Sequence, residues 1–185
     1  MVRKEFKMGK IAVVYRSKSG FTETYAKWIA EAVNADLLSG KKTKIDDLLK
    51  YDTIVYGGGM YAVGINGLKL ITDNFDKLKD KNLIVFSLGA SPVRPEIYEE
   101  VKKKNFSGEQ LERISFFLLR GGYDHRKITP VDRILMMLMK TQLKHKKKLT
   151  PDERGMLSAF SHPVDFTTKK SIQPILEKLS TFHEV

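Results

Sequence analysis

Val13-Val14-Tyr15-Arg16-Ser17-Lys18-Ser19-Gly20-Phe21-Thr22-Glu23-Thr24-Tyr25-Ala26 is the stretch whose reading decides the fold. It begins as the end of an apolar strand, residues 10–15, bends through small hydroxylated residues and a glycine, and runs into a helix. That helix shows in Tyr25, Trp28, Ile29, Ala32 and Val33, spaced i, i+3, i+4, i+7, i+8. The first backbone N–H groups of a helix have no partner inside it and point out of its positive end. Ser17, Ser19 and Thr22 add hydroxyl donors. Strand, hydroxylated turn and helix together predict a phosphate cradle; an ordinary strand-to-helix turn with good capping residues is the plainer alternative. Neither the GxxxxGK(S/T) spacing of a nucleotide loop nor the GxGxxG of a dinucleotide fold is present.

Outward from this stretch, apolar runs alternate with helical patterns. Strands are expected at 35–38, 53–56, 83–88 and 114–119. Helices are expected at 21–33, briefly around Ile45 and Leu48, through Ile65, Leu68, Ile71, Phe75 and Leu78, at 94–104 and at 167–181. The strands are continuous apolar runs, as when helices cover both faces. The pattern predicts an α/β, doubly wound parallel sheet, formed as a single domain over 1–185 with an insertion at about 120–162. In such sheets ligands lie beyond the carboxyl ends of the strands. The loops there are 17–22, 57–62 and 89–94.

Composition bounds the chemistry. The 185 residues contain no cysteine, which excludes disulfides, cysteine-ligated iron–sulfur clusters and covalent haem. The histidines, 125, 145, 162 and 183, show no metal-ligand spacing. Residues 1–9 lack the apolar core of a signal peptide, no run is long enough for a membrane span, and a cytoplasmic location is the expectation. The net charge is +11. Between Arg120 and Gly155 ten Lys/Arg face four Asp/Glu, so this segment alone carries +6. Such a surface favours anionic partners.

Val13, Val14, Tyr15, Ser17, Gly20, Thr22 and Ala26 resemble the flavodoxin signature: two aliphatics, an aromatic, Ser/Thr, a small residue, Thr, and Ala four residues on. The resemblance implies a flavodoxin-like sheet of five strands in the order 2-1-3-4-5 and non-covalent FMN. Its phosphate would lie at Ser17, Lys18, Ser19, Gly20, Phe21 and Thr22. Gly58, Gly59, Met60, Tyr61 and Ala62, with Gly89, Ala90 and Ser91 opposite, would enclose the ring, although the glycines alone read equally well as turn geometry. No aromatic stands between Gly89 and Glu96, which leaves that ring face open or covered by another element. No acid–base pair stands out, so no catalytic residue is assigned.

A minimal fold of this kind runs almost directly from strand five to the last helix. Here Gly121-Gly122-Tyr123-Asp124 opens an insertion, and Thr129-Pro130-Val131-Asp132 reads as a helix start, with Thr as cap and Pro in the first position. The apolar run Ile134-Leu135-Met136-Met137-Leu138-Met139 surrounds that helix, and Lys140, Lys144, Lys146, Lys147 and Lys148 follow. Residues 130–148 therefore suit an anionic membrane or an apolar partner; a helix packed on the sheet with a solvated basic end is the alternative. Tyr123 and Arg126 are candidates for substrate contact, or else parts of an ordinary polar turn.

The layout resembles the bacterial flavodoxin-type protoporphyrinogen IX dehydrogenases over about 10–180. This implies an oxidoreductase passing electrons from a tetrapyrrole-like or other reduced substrate to quinone, peripheral at the inner face of the membrane. A flavodoxin-type electron carrier between partner proteins is the alternative, and the basic charge counts against it because such carriers are typically acidic. Nucleic-acid binding lacks interleaved aromatics or a recognition motif.

Overall fold

Side chains alternate across a strand, so the apolar run at 11–14 must serve two cores. In the computed structural model, which describes residues 9–61 and 63–182 without the side chain of Asp152, it does. Strand β1 (Ile11–Arg16) sends Ala12 and Val14 to one buried cluster and Ile11 and Val13 to another. Helix α1 (Phe21–Val33), β2 (Asp36–Ser39), α2 (Ile45–Leu48), β3 (Thr53–Tyr61), β4 (Gly64–Ile65), α3 (Lys69–Thr72), β5 (Asn82–Gly89), α4 (Pro95–Asn105), α5 (Glu109–Arg113) and β6 (Ile114–Arg120) follow. The sheet order is β2-β1-β3-β5-β6, all parallel, with β4 added antiparallel to β3. Without that extra strand, this is the expected 2-1-3-4-5 order. Tyr25, Ile29, Val55, Phe86 and Ile175 fill one face; Tyr56, Leu78, Val85 and Phe116 fill the other.

Three expectations need correction. Strand β3 does not stop at Tyr56. Gly57 and Gly58 remain paired with Tyr15 and Arg16 on one side and with Phe86 and Ser87 on the other, and the strand runs on to Tyr61. No single helix spans Ile65 to Leu78. Ile65 pairs with Met60 in β4, Gly67 takes φ +73° and breaks the chain, and α3 is followed by a separate 3-10 turn at Phe75–Leu78. Nor is 167–181 one helix. A 3-10 turn at Lys169–Ile172 precedes α8 (Gln173–Thr181), because the Pro174 ring cannot lie inside a continuous helix.

The insertion is a helical hairpin standing on a two-stranded stem. Strands β7 (Gly122–Tyr123) and β8 (Val164–Asp165) pair antiparallel, and between them lie α6 (Pro130–His145) and α7 (Pro151–Ala159). Gly122 has to be glycine: a Cβ there would lie 2.3 Å from the Val164 carbonyl oxygen and 2.7 Å from the Phe21 ring. The α6 cap is the expected one, with Thr129 Oγ1 accepting from the Asp132 N–H at 3.2 Å. Thr150 and Glu153 cap α7 reciprocally. Beneath the stem, the buried Tyr25 hydroxyl donates to the Arg120 carbonyl at 2.9 Å and accepts from the Thr168 N–H at 3.3 Å. One side chain of α1 thus holds both ends of the insertion.

Tyr25→Phe keeps the ring packing and leaves those two backbone groups unpaired. A loss of roughly 1–3 kcal/mol in urea unfolding is expected, together with faster proteolysis within the insertion. Unchanged stability would show that the hydroxyl holds neither stem.

Candidate functional site

The cradle forms as its residue types require. Gly20 adopts φ 92°, a conformation open to glycine, and its N–H donates to Ser17 Oγ at 2.9 Å. This folds 17–20 into a tight loop that presents the start of α1. The Gly20 carbonyl accepts the first intrahelical bond, from Thr24 N–H at 3.0 Å, and no side chain caps the helix. The N–H groups at the head of α1 are therefore directed into the loop, as an anion requires. Thr22 is buried, and its Oγ1 lies 3.5 Å from the position a Cβ on Gly59 would take. Cradle and end of β3 therefore meet at that hydroxyl.

The two ring loops also converge. Met60 reaches across until its Cε lies 2.7 Å from where a Cβ on Gly89 would stand. The Ser87 hydroxyl donates to the Gly58 carbonyl at 3.0 Å and ties β5 to β3. The glycines at 57 and 58 have packing reasons of their own. A Cβ on Gly57 would lie 2.1 Å from the Phe86 ring, and one on Gly58 2.6 Å from Ile65. Ala90 and Ser91 lie in the loop after β5, with Ser91 exposed. Ala62 lies outside the described residues.

Sequence reasoning missed what covers this end of the sheet. Arg120 Nε donates to the Ala90 carbonyl at 3.3 Å, and its guanidinium stacks on Phe166 at 3.5 Å from the ring centre. Phe166 comes from the returning stem, held by its N–H to the Gly121 carbonyl at 3.0 Å, while Gly121 N–H bonds the Gly89 carbonyl at 2.8 Å. An aromatic and a cation thus stand beside the loop that has no aromatic of its own.

On the other side, the first turn of α6 rests on the cradle. Lys18 Nζ donates to both oxygens of Asp132, at 2.9 and 3.1 Å, and lies 4.6 Å from the centre of the Tyr61 ring. Asp132 is buried and also accepts from Thr129 Oγ1 at 2.8 Å. Burial pushes this carboxyl up, but bonds from Lys18 and Thr129, with the Lys18 charge, hold it below the ordinary carboxylate range. For Tyr61, burial and the Asp132 charge raise the phenol. Lys18 and Tyr61 are thereby brought together, and by a residue that was read as a helix-start signal alone.

Of the two substrate-contact candidates, Arg126 is tied bidentately to buried Asp124 at 2.9 Å, and Tyr123 packs edge-on against Phe160. The Arg126 bonds hold Asp124 well below the usual carboxylate range. Both residues brace the hairpin. Among the described residues no group of acidic or histidine side chains is arranged to hold a metal.

A parallel 2-1-3-4-5 sheet with an anion cradle at the head of its first helix defines a flavodoxin-like flavoprotein. The Flavodoxin domain family matches the chain over residues 12–150, well over half its length, and the chain belongs to that family; its cofactor is FMN. Among solved structures, the Trp repressor binding protein of Bacillus subtilis is similar at 17% identity and a TM-score of 0.46, over 86% of this chain and 100% of that one. The flavodoxin of Megasphaera elsdenii is similar at 20% identity and TM-score 0.40, over 65% and 89%. Flavodoxin 2 of Bacillus cereus is similar at 22% and 0.40, over 60% and 84%. No curated protein matches.

Two outcomes test the site. Thr22→Val keeps the volume and removes the hydroxyl, and FMN affinity is expected to fall roughly ten- to a hundredfold, the 1.5–3 kcal/mol of a hydrogen bond to a charged group. Thr22→Glu, which sets a carboxylate where a phosphate is expected, should abolish binding; fluorescence titration with FMN reads both. The second outcome concerns pH. Because Asp132 is depressed in the folded state, its contribution is complete above the ordinary carboxylate value and is lost as pH falls through the depressed one. Limited proteolysis should therefore show the insertion loosening only as pH falls below the ordinary carboxylate range, and Asp132→Asn should loosen it at neutral pH.

Proposed function

We propose that the protein is an FMN-dependent oxidoreductase that takes reducing equivalents from a reduced substrate and delivers them to a quinone. The observation that carries this reading is the attachment of an apolar, basic helix to the flavin cradle through Asp132 and Lys18. A quinone is apolar, and an apolar surface beside the flavin suits its approach. The tetrapyrrole-like donor is the one the sequence resemblance implies, with the protein working at the inner face of a membrane.

The residues divide the work. Ser17, Ser19 and Thr22 hold the phosphate through hydroxyls, Phe21 and Thr22 through the N–H groups at the head of α1, and Gly20 makes the turn that exposes them. Lys18 is engaged by Asp132, so it orients the insertion rather than supplying a free charge. Gly58, Gly59, Met60 and Tyr61, with Gly89, Ala90 and Ser91, border the ring. Arg120 and Phe166 close the side that the 89–91 loop leaves bare. The redox chemistry is the flavin's own, reversible uptake of two electrons; the protein orients it and limits access.

Steady-state rates with a water-soluble quinone and with a small acidic redox protein as competing acceptors test the proposal. Faster turnover with the quinone is expected. Clearly faster transfer to the acidic protein would replace this reading with that of an electron carrier. With a porphyrinogen as donor, appearance of fluorescent porphyrin tests the substrate class separately.

A further inference from the structure

Helix α6 has two faces. Asp132, Met136, Met139, Lys140 and Leu143, at helical spacing, are buried or half-buried against the rest of the molecule. The opposite face presents Val131, Ile134, Leu135, Met137 and Leu138, with 68, 61, 46, 62 and 59% of their surface open. Exposed apolar residues scattered singly need no explanation, but a contiguous group on one helix does. The other large apolar residues exposed among the described ones, Leu37, Leu49, Tyr61 and Val93, lie on separate elements.

The same face continues into positive charge. Lys144 stands seven residues after Met137 and His145 seven after Leu138, two helical turns along the same side. Lys147 and Lys148 follow directly. Nearby carboxylates are already engaged: Asp132 with Lys18, Asp124 with Arg126, and Glu153 with Lys146. Lys144, Lys147 and Lys148 have no carboxylate partner among the described side chains, so the outward charge is uncompensated.

We propose that this face of α6 is an anchor for an anionic lipid bilayer, with the helix lying in the interface, its apolar side chains among the acyl chains and its basic end on the headgroups. Charge complementarity selects this occupant. A second copy would set one basic segment against another. An acidic protein would have to supply a groove, because the exposed face is the convex outside of a single helix, whereas a planar membrane receives such a face directly. The helix is 16 residues long, about 24 Å. No helix among the described residues is long and apolar enough to cross a membrane. Asp132, in the first turn, grips Lys18 of the cradle, so a docked α6 brings the flavin site to the bilayer surface. The inference is independent of the acceptor proposed above, since docking requires neither quinone nor turnover.

The test is sedimentation of the full-length FMN-loaded protein with vesicles, in the absence of any redox substrate. Binding is expected to vesicles of phosphatidylcholine mixed with phosphatidylserine and to weaken steeply with added salt. Replacing Lys144, Lys147 and Lys148 together by Gln should weaken binding roughly a hundredfold, about fivefold per residue or ~1 kcal/mol each near an anionic surface. The double variant Ile134→Ser, Leu138→Ser, whose changes lie in solvent, should keep its flavin absorbance and lose binding at least tenfold. No binding to the mixed vesicles overturns the proposal, as does equal binding to phosphatidylcholine alone. Wild-type binding by the double variant would show simple charge adsorption and overturn it too. A dimer in lipid-free solution that the double variant dissolves would make a second copy the occupant instead.

Discussion

The Tyr25 hydroxyl is the point from which the insertion hangs. Phe21 and Thr22, at the head of α1, shape the phosphate cradle; one turn later Tyr25, fully buried, holds the Arg120 carbonyl and the Thr168 N–H. One helix therefore carries the cradle at its head and, a turn later, the hydroxyl that holds the stem. The second attachment, Lys18 to Asp132, is of another kind. The Lys18 side chain is 42% exposed, and a pair of that exposure contributes at most about 1 kcal/mol after screening. The stem therefore fixes where the hairpin stands, and the ion pair fixes how its first turn lies over the cradle.

That pair also rearranges the charge. A lysine in a phosphate loop would ordinarily be taken as the counter-ion of the phosphate. Here its two hydrogen bonds go to a buried carboxylate, so an anion in this loop would meet hydroxyls and the N–H groups of the helix terminus rather than a free Lys18 charge. Lys18 and Asp132 cancel within the site. Of the net charge of +11, this pair contributes nothing. The densest part of that charge is the basic end of the insertion, where Lys146 is paired with Glu153 while Lys144, Lys147 and Lys148 have no carboxylate partner among the described side chains.

The sheet and the strand–turn–helix geometry at 17–22 were legible because both depend on local pattern. Continuous apolar strands announce burial on both faces, and Ser17, Gly20 and Thr22 announce a helix start. Helix α7 was equally legible and was missed. Thr150-Pro151-Asp152-Glu153 repeats the signal of Thr129-Pro130-Val131-Asp132, but no apolar stripe followed to draw attention. Strands β7 and β8 could not be read at all. Each has two residues, their pairing joins positions more than forty residues apart, and Gly122 shows its reason only when Val164 and Phe21 are beside it. The break at Gly67 was hidden for a different cause. Ile65, Leu68, Ile71, Phe75 and Leu78 are all buried as a helical face would be, so the periodicity was real while the helix was not. In the site, Asp132 carried a capping signal, and nothing local said that its carboxylate would also reach Lys18.

The size of the Lys18–Asp132 contact decides how the insertion can influence the flavin. Tyr61, on the ring loop, has its ring centre 4.6 Å from Lys18 Nζ, so a displacement of α6 that moves Lys18 is felt at the end of β3. Two sites can influence each other by no more than the differential free energy of the contacts joining them. A contact worth about 1 kcal/mol allows roughly a fivefold effect on affinity or rate. That is enough to bias the ring environment and too little to switch it. The larger effect of the insertion is location. It is tied to α1 through the Tyr25 hydroxyl, and its apolar face lies within two turns of Asp132, so its place beside the cradle does not depend on the ion pair alone.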